Sequence, residues 1–251
     1  VILVTAGSAG LGAAVARLFA RRGFRVVVNY NKDIERAEIL VAELNGMNDT
    51  RDHVNGETIS HIAIQADLAS QADVRRLVQE THSCMDRIDV VYSNGGWTRF
   101  TDTTSIDDNV IEEDWDRAFT LNVKSHLWLL RASKQHLDET EGAFITTSSI
   151  AGVHGMGSSL AYGATKAAQI HMVRGLASMV APKIRVNSVS PGLLQTEWAT
   201  RFTSEQKEAH RQKTKLKRFV EIEDVAEQVL SLATSKSITG TNIIIDAGYI
   251  I

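Results

Sequence analysis

The sequence predicts an α/β fold, a doubly wound parallel sheet of about seven strands with helices on both faces. Three observations carry that prediction. Short apolar runs alternate with segments of helical periodicity along the chain, as βαβ units do. Runs such as Arg25–Asn29 (RVVVN) and Ile88–Tyr92 (IDVVY) are nearly continuous in apolar residues, which is how strands covered on both faces read. A length of 251 residues at 43% hydrophobic composition is enough to bury such a sheet.

The elements follow in order. Val1–Val4 is a buried strand, and Leu11 to Arg22 a helix with Leu11, Val15, Leu18 and Phe19 on one face. Arg25–Asn29 is the second strand and Asp33–Leu44 the second helix. The polar, glycine-punctuated segment Asn45–Glu57 reads as an exposed loop. Ile59–Ala66 is the third strand, Gln71–Met85 a helix and Ile88–Tyr92 the fourth strand. Trp115–Leu137 is a long helix, Ala143–Thr147 a strand, Tyr162–Val180 a helix and Ile184–Val189 a strand. Helix Asp224–Ala233 and strand Asn242–Asp246 complete the pattern. No repeat or linker divides it, so residues 1–251 are expected to form one domain.

Composition excludes several classes of function. A formal net charge of −3 gives no nucleic-acid or membrane surface. Cys84 stands alone, so a disulfide framework and a cysteine-rich zinc site are out; it is expected to be a small buried hydrophobe. The eight histidines show neither HxxxH nor HExxH spacing, so no catalytic metal is expected. Gly142 to Thr165 carries no charge and is long enough to span a bilayer. Its Gly, Ser and Thr content and His154 read instead as strand, loop and helix start. The chain opens on Val1-Ile2-Leu3-Val4 with no basic leader, inside a strand, so a short stretch is expected to precede it. The sequon Asn48-Asp49-Thr50 needs a secretory context that nothing supports, and a cytoplasmic protein is expected.

After the first strand comes Thr5-Ala6-Gly7-Ser8-Ala9-Gly10-Leu11-Gly12. A strand, a glycine-rich turn and a helix start is the setting in which a dinucleotide phosphate rests on a helix N-terminus. Alone, such a turn is as often purely structural. Other pieces follow at set intervals: Asp67-Leu68, Ser93-Asn94-Gly95-Gly96, Asn122, Ser149, Tyr162-Gly-Ala-Thr-Lys166, and Pro191-Gly192-Leu-Leu-Gln-Thr196. Ile238-Thr-Gly240 and Asp246-Ala-Gly248 complete the set. With these pieces the chain resembles the short-chain dehydrogenase/reductase family over essentially its whole length, in the short single-domain branch, similar to its 3-oxoacyl reductase-like members. The implied fold is Rossmann-type. Three departures stand out. Ala6 replaces the first glycine of the family's TGxxxGxG turn, Ser93-Asn94-Gly95-Gly96 replaces NNAG, and Asp246-Ala247-Gly248 replaces DGG. A methyl at Ala6 tightens the turn if that position needs a positive φ.

The resemblance implies a catalytic set of Asn122, Ser149, Tyr162 and Lys166. Tyr162 and Lys166 are i and i+4 on one helix and share a face. A phenol titrates near ~10, and an adjacent ammonium lowers that value toward the working pH. In the family's manner Tyr162 exchanges a proton with the carbonyl or alcohol oxygen, and Lys166 lowers its pKa and holds the nicotinamide ribose. Ser149 bonds the substrate oxygen and Asn122 anchors a water that links Lys166 to solvent. Singly, each residue reads as surface or capping decoration, and Ser148 looks like Ser149; the family spacing favours Ser149. The same resemblance assigns the dinucleotide to Gly7, Ser8, Gly10, Leu11, Gly12, Asn29, Tyr30, Asn31, Asp67, Leu68, Asn94, Gly95, Tyr162, Lys166, Pro191, Gly192, Leu194 and Thr196.

NAD specificity usually needs a carboxylate after the second strand. No acid occupies Asn29 to Asn31, and Asn29, Asn31 and Lys32 can bond a phosphate. NADP(H) is therefore preferred, with NAD(H) the alternative, since Ala9 lacks the basic residue that many NADP-using relatives carry. A substrate lid is expected at about 193–218. Its seven basic residues (Arg201, Lys207, Arg211, Lys213, Lys215, Lys217, Arg218) against Glu205 and Glu208 could attract an anionic substrate or carrier, but a solvated helix face is the preferred reading. Trp97, His154, Met156, Leu194 and Trp198 are candidate pocket walls. The leading function is carbonyl–alcohol interconversion by hydride transfer on a small molecule. The alternatives are a 3-oxoacyl thioester reductase and a non-catalytic dinucleotide-binding regulator. The resemblance also implies a homo-oligomer, tetramer or dimer, through the helices bearing Asn122 and Tyr162 and through the C-terminal strand. The apolar end Tyr249-Ile250-Ile251 is expected to be buried.

Overall fold

The computed structural model describes residues 1–47, 53–54, 57–58, 60–155 and 157–251. Seven parallel strands form one sheet in the order β5-β2-β1-β6-β7-β8-β9. They are β1 (Ile2–Val4), β2 (Val26–Tyr30), β5 (Ile62–Gln65), β6 (Val90–Ser93), β7 (Ala143–Thr147), β8 (Arg185–Pro191) and β9 (Asn242–Ile245). The apolar runs are continuous because successive residues face different helical layers. Ile2, Val4, Val26 and Val28 pack with α1 (Gly10–Arg21), α2 (Ile34–Met47) and α9 (Ile222–Thr234). Leu3, Val27 and Val91 pack with α3 (Gln71–Met85), α5 (Ser125–Thr140) and α7 (Leu160–Val180).

The chain runs from β1 outward to β2 and β5, then returns to place β6 on the other side of β1. This reversal opens a crevice at the carboxyl ends of β1 and β6, the position where doubly wound sheets bind ligands. The strands end there on the chemistry-bearing turns noted in the sequence.

Most element bounds match the sequence reading within a few residues, and α3 matches at both ends. Ser70 caps it, its hydroxyl accepting from Asp73 N at 3.2 Å. Four differences have physical causes. The segment 45–57 is not simply a loop: α2 runs on to Met47, and β3 (His53–Val54) pairs antiparallel with β4 (Glu57–Thr58). Asn45, in the last turn of α2, exchanges two hydrogen bonds with the His61 backbone, so β5 starts only at Ile62. The sequon, the remainder of that segment, Ile59 and Met156 lie outside the described residues. The helix expected at 115–137 starts earlier, at α4 (Glu112–Phe119), whose first turn carries Glu112, Glu113 and Asp114 against the helix dipole. It widens into a π turn at Thr120–Lys124 before α5.

Cys84 is exposed rather than buried. Val74, Leu77, Val78, Thr81 and Met85 form the buried stripe of α3, and Cys84 falls beside it on the solvent side. The charge-rich segment 193–218 contains α8 (Ser204–Lys213), begun by a Thr203–Gln206 capping box. No residue of α8 is buried, which agrees with a solvated face. The charge-free stretch from Gly142 resolves into β7, the short α6 (Ala151–His154) and the start of α7. Among the described residues no helix is long and apolar enough to cross a membrane. At the C-terminus Tyr249 stacks on His210 at 4.3 Å, and Ile251 is 83% exposed in the single chain.

Ala6 and Ala247, two of the departures from the family pattern, both adopt left-handed backbone, with φ of 46° and 53°. That conformation disfavours any residue with a Cβ. Ala6→Gly is expected to stabilise the fold by about 0.5–1 kcal/mol, the released strain exceeding glycine's extra unfolded-state entropy. Urea unfolding measures it, and a destabilised variant contradicts it.

Candidate active site

The crevice is about 1330 Å³ and is walled by the turns after β1, β6, β7 and β8. The first wall is the glycine turn. Thr5 N bonds Tyr92 O at 3.0 Å and the Thr5 hydroxyl accepts from Asn94 N at 2.9 Å, which ties this turn to the one after β6. Asn29 fastens it from below. Its Oδ1 accepts from Ala6 N at 3.1 Å and its backbone O from Gly7 N at 2.8 Å. Its Nδ2 donates to Tyr30, Ile64 and Ala66 carbonyls. Asn29 is 1% exposed. Its amide is committed to the scaffold, which corrects the expectation that it faces a phosphate. Tyr30, Asn31 and Lys32 are the outward groups at that strand end.

The turn leads into α1 by close contact. A Cβ on Gly12 would lie 2.5 Å from Ala6 O and 2.9 Å from Asn94 Nδ2. Ala9 precedes the helix with no side-chain cap, so first-turn N–H groups of α1 are left for an outside acceptor. Gly10 (φ 51°) and Leu11 face the crevice, Gly7 is buried against Val4, and Ser8 is half-buried beside them. Open amides at an uncapped helix start and a turn too tight for side chains fit a dinucleotide pyrophosphate. Asp67 accepts from Ala69 N, and Leu68 lies where a Cβ on Gly95 would collide at 2.2 Å. Pro191 O accepts from Ile150 N, and Gly192 N bonds Ile245 O, turning the chain back over the crevice. Leu194 bridges to Val220, and the Thr196 methyl comes within 3.3 Å of a Cβ built on Gly10.

The floor comes from β7, the π turn and α7. The structure separates the two serines. The Ser148 hydroxyl donates to Lys166 O at 3.0 Å inside the core. The Ser149 hydroxyl accepts from Ala151 N at 3.1 Å and lines the same crevice as the Tyr162 phenol. Loss of water around that phenol pushes it up to about 12, with the Ser149 hydroxyl pulling the other way. The expected lowering by Lys166 is not what this arrangement gives. The Lys166 Nζ lies 5.6 Å from the Tyr162 ring centre but is itself 3% exposed, and burial lowers it to about 7. Nζ donates to Thr147 O at 2.7 Å and to Gln169 Oε1 at 3.2 Å. Asn122 sits within the π turn, its Oδ1 accepting from Trp97 N at 2.7 Å and its Nδ2 donating to Trp97 O and Thr165 Oγ1. It thereby fixes the loop after β6 against α7.

The described candidate walls Trp97, His154, Leu194 and Trp198 all line the crevice. Trp198 stands 6.4 Å from the Tyr162 ring. Sequence reasoning missed Arg36, whose Nη1 bonds Glu197 Oε2 at 2.8 Å, linking α2 to the segment after Thr196. Its signal was a basic residue in the first turn after β2. It also missed His126 and Gln169, two buried polar residues behind Lys166, which nothing in helical periodicity marks. Elsewhere, His82 on α3 and His136 and Glu139 on α5 bring ligand-type atoms within 4.8 Å of one another. The arrangement joins two helices and so escapes spacing rules.

Comparison with known proteins agrees with this geometry. A family profile described as Enoyl-(Acyl carrier protein) reductase matches residues 5–250. The chain is 32% identical to the 3-oxoacyl-(acyl-carrier-protein) reductase of Staphylococcus aureus, covering 98% of this chain and 96% of that protein. It is 33% identical to the 3-oxoacyl-(acyl-carrier-protein) reductase of Synechocystis sp., covering 100% and 96%. A short-chain dehydrogenase from Burkholderia cenocepacia, solved in complex with NADP, superposes with a TM-score of 0.88 at 31% identity, covering 100% of this chain and 97% of that one.

Proposed function

Because this chain belongs to the short-chain dehydrogenase/reductase family, we propose that it is an NADP(H)-dependent oxidoreductase that interconverts a carbonyl and a secondary alcohol, with Tyr162 as general acid and base. The observation that carries this reading is that the Ser149 hydroxyl and the Tyr162 phenol line one crevice, with the Lys166 Nζ 5.6 Å from the Tyr162 ring and the glycine turn in the same crevice. Two hydroxyls converging on one point suit a carbonyl oxygen better than a carbon–carbon double bond. When bound, the nicotinamide supplies the hydride. The chain's own groups do the rest. Ser149 holds the carbonyl oxygen, and the Tyr162 Oη donates the proton that oxygen needs as it becomes an alkoxide. A phenol kept near 12 is protonated at neutral pH, the state that carbonyl reduction consumes. Lys166 and Asn122 hold the ribose side and the loop after β6. Uncapped α1 amides and the backbone of Gly10 to Gly12 receive the pyrophosphate. Residues 1–251 act as one domain, with 193–218 as the substrate lid.

The preference for NADP(H) rests on the absence of an acid at Asn29 to Asn31, on Lys32 just after β2 and on Arg36 in the first turn of α2. The Burkholderia relative's complex with NADP supports it. Arg36→Ala is expected to raise KM for NADPH about 10-fold through loss of a charge-assisted bond, leaving NADH nearly unchanged. Steady-state kinetics with both cofactors checks it, and a lower KM for NADH in the wild type contradicts the preference.

The names of the Staphylococcus aureus and Synechocystis relatives favour a 3-oxoacyl thioester as the substrate among carbonyls. Following NADPH oxidation against a panel of ketones and 3-oxoacyl thioesters tests both readings. NADPH binding without turnover on any of them points to a regulator instead. Exposed Leu127 (42%) on α5 and Met179 (78%) on α7 support self-association through these helices. Light scattering that shows a monomer overturns it. The protein's setting is proposed to be cytoplasmic.

A further inference from the structure

Behind Lys166, on the side away from Tyr162, a chain of polar groups runs through the apolar layer between α5 and α7. Lys166 Nζ donates to Gln169 Oε1 at 3.2 Å, Gln169 Nε2 lies 3.1 Å from His126 Nε2, and His126 Nδ1 lies 2.5 Å from Ser93 Oγ. Gln169 and His126 are 0% exposed, and Ser93 is 3% exposed. Leu129, Leu130, Val173 and Leu176 of the same two helices are buried core residues.

The direction of each bond follows from the cation at one end. An ammonium only donates, so Gln169 turns its oxygen toward Nζ. Its NH2 then faces His126, whose Nε2 must be the unprotonated acceptor. The imidazole proton therefore sits on Nδ1 and is donated to Ser93 Oγ. The chain is satisfied only with His126 neutral, and burial with the nearby Lys166 charge lowers His126 to about 3.

From this geometry we infer that Gln169 and His126 are positioning residues that hold the Lys166 ammonium from behind, in its charged form. The titratable groups around Nζ are Tyr162 on its own helix, His126 on α5 and, through the Thr147 hydroxyl, Tyr92 on β6. Among the described residues no carboxylate bonds to Nζ. Its acceptors are the two neutral oxygens of Thr147 and Gln169, and burial already brings the ammonium down to about 7. Removing one acceptor therefore discharges it at neutral pH. His126 prevents this by keeping the Gln169 amide from turning its NH2 toward Lys166.

The inference rests on the role proposed for Lys166 only in its consequence for turnover, and the test separates the two. Lys166 is titrated by NMR of carbon-13-labelled lysine, its resonance assigned by Lys166→Arg. Gln169→Met is expected to lower the Lys166 midpoint by about one pH unit, the loss of one bond to a charged group. His126→Leu lowers it as well, and Gln169→Glu, which keeps an acceptor of the same size, holds it at or above the wild-type value. Circular dichroism confirms that each variant is folded. Should Gln169→Met fail to fold, the Gln169→Glu titration decides alone. An unchanged midpoint in Gln169→Met or His126→Leu, or a lowered one in Gln169→Glu, overturns the inference. In alcohol oxidation, the acid limb of the kcat profile is expected to rise in Gln169→Met, because a neutral Lys166 no longer favours the Tyr162 phenolate. Midpoints that shift as expected in a protein that turns over no carbonyl or alcohol uphold the inference and overturn the proposed function.

Discussion

Tyr162→Phe is expected to lower kcat for NADPH-dependent carbonyl reduction by about 10³-fold, the contribution of a positioned general acid. The substitution removes one oxygen and keeps the ring beside Trp198 and over the Lys166 Nζ. Ser149 remains to hold the carbonyl oxygen. Affinity for NADPH is therefore expected to stay within about twofold, because the glycine turn and the α1 amides are untouched. Steady-state rates with a fluorescence titration of NADPH check both halves. Retention of a tenth of the wild-type kcat removes Tyr162 from the reaction.

Gly12→Val is expected to abolish dinucleotide binding and to destabilise the fold. A Cβ at this position would lie 2.5 Å from Ala6 O, 2.9 Å from Gly7 Cα and 2.9 Å from Asn94 Nδ2. Two of these atoms belong to the backbone of the turn, so the turn must open. The overpacking costs about 1–3 kcal/mol, and the displaced amides weaken NADPH binding about 100-fold or more. Gly46→Ala is the matched control. A Cβ there meets nothing within 4 Å, and the helix-forming preference of alanine in α2 is expected to add about 0.5–1 kcal/mol. Equal NADPH affinity in Gly12→Val and wild type would show that the turn does not receive the phosphates.

Much of the fold was legible because its signals are local. Arg25–Asn29 reads as a strand covered on both faces and lies within one residue of β2, and the helix read at Gln71–Met85 matches α3 at both ends. The charge run at 201–218 was legible as a solvated helix face, and α8 carries it with no buried residue. The site was legible where backbone geometry restricts residue choice, at Gly10 and Gly12, and where the family pattern marks Tyr162 and Lys166. What depends on a third partner was not. Asn29 looked like a phosphate ligand until its amide was seen bonded to Ala6 and the carbonyls beside it. Lys166 looked like a simple cation until its burial and its two neutral acceptors were known. Neither the Asn122 side-chain bonds to Trp97 and Thr165 nor the Arg36–Glu197 pair has a periodic signature, since each joins segments far apart in the chain.

The place of β1 has a consequence for how the chain folds. β1 is near the middle of the sheet, yet it precedes the sheet's other strands in the sequence. One edge pairs with β2, where Ile2 meets Val26, but the other waits for β6, where Ile2 meets Val90. Until residues 90–93 emerge, a fully apolar strand presents unpaired N–H and C=O groups along one side, a template for association with other chains. Closing that edge joins distant parts of the sequence, the kind of contact that slows folding. The segment that builds the centre of the sheet therefore keeps an open edge until β6 is made, the kind of surface through which incompletely folded chains associate.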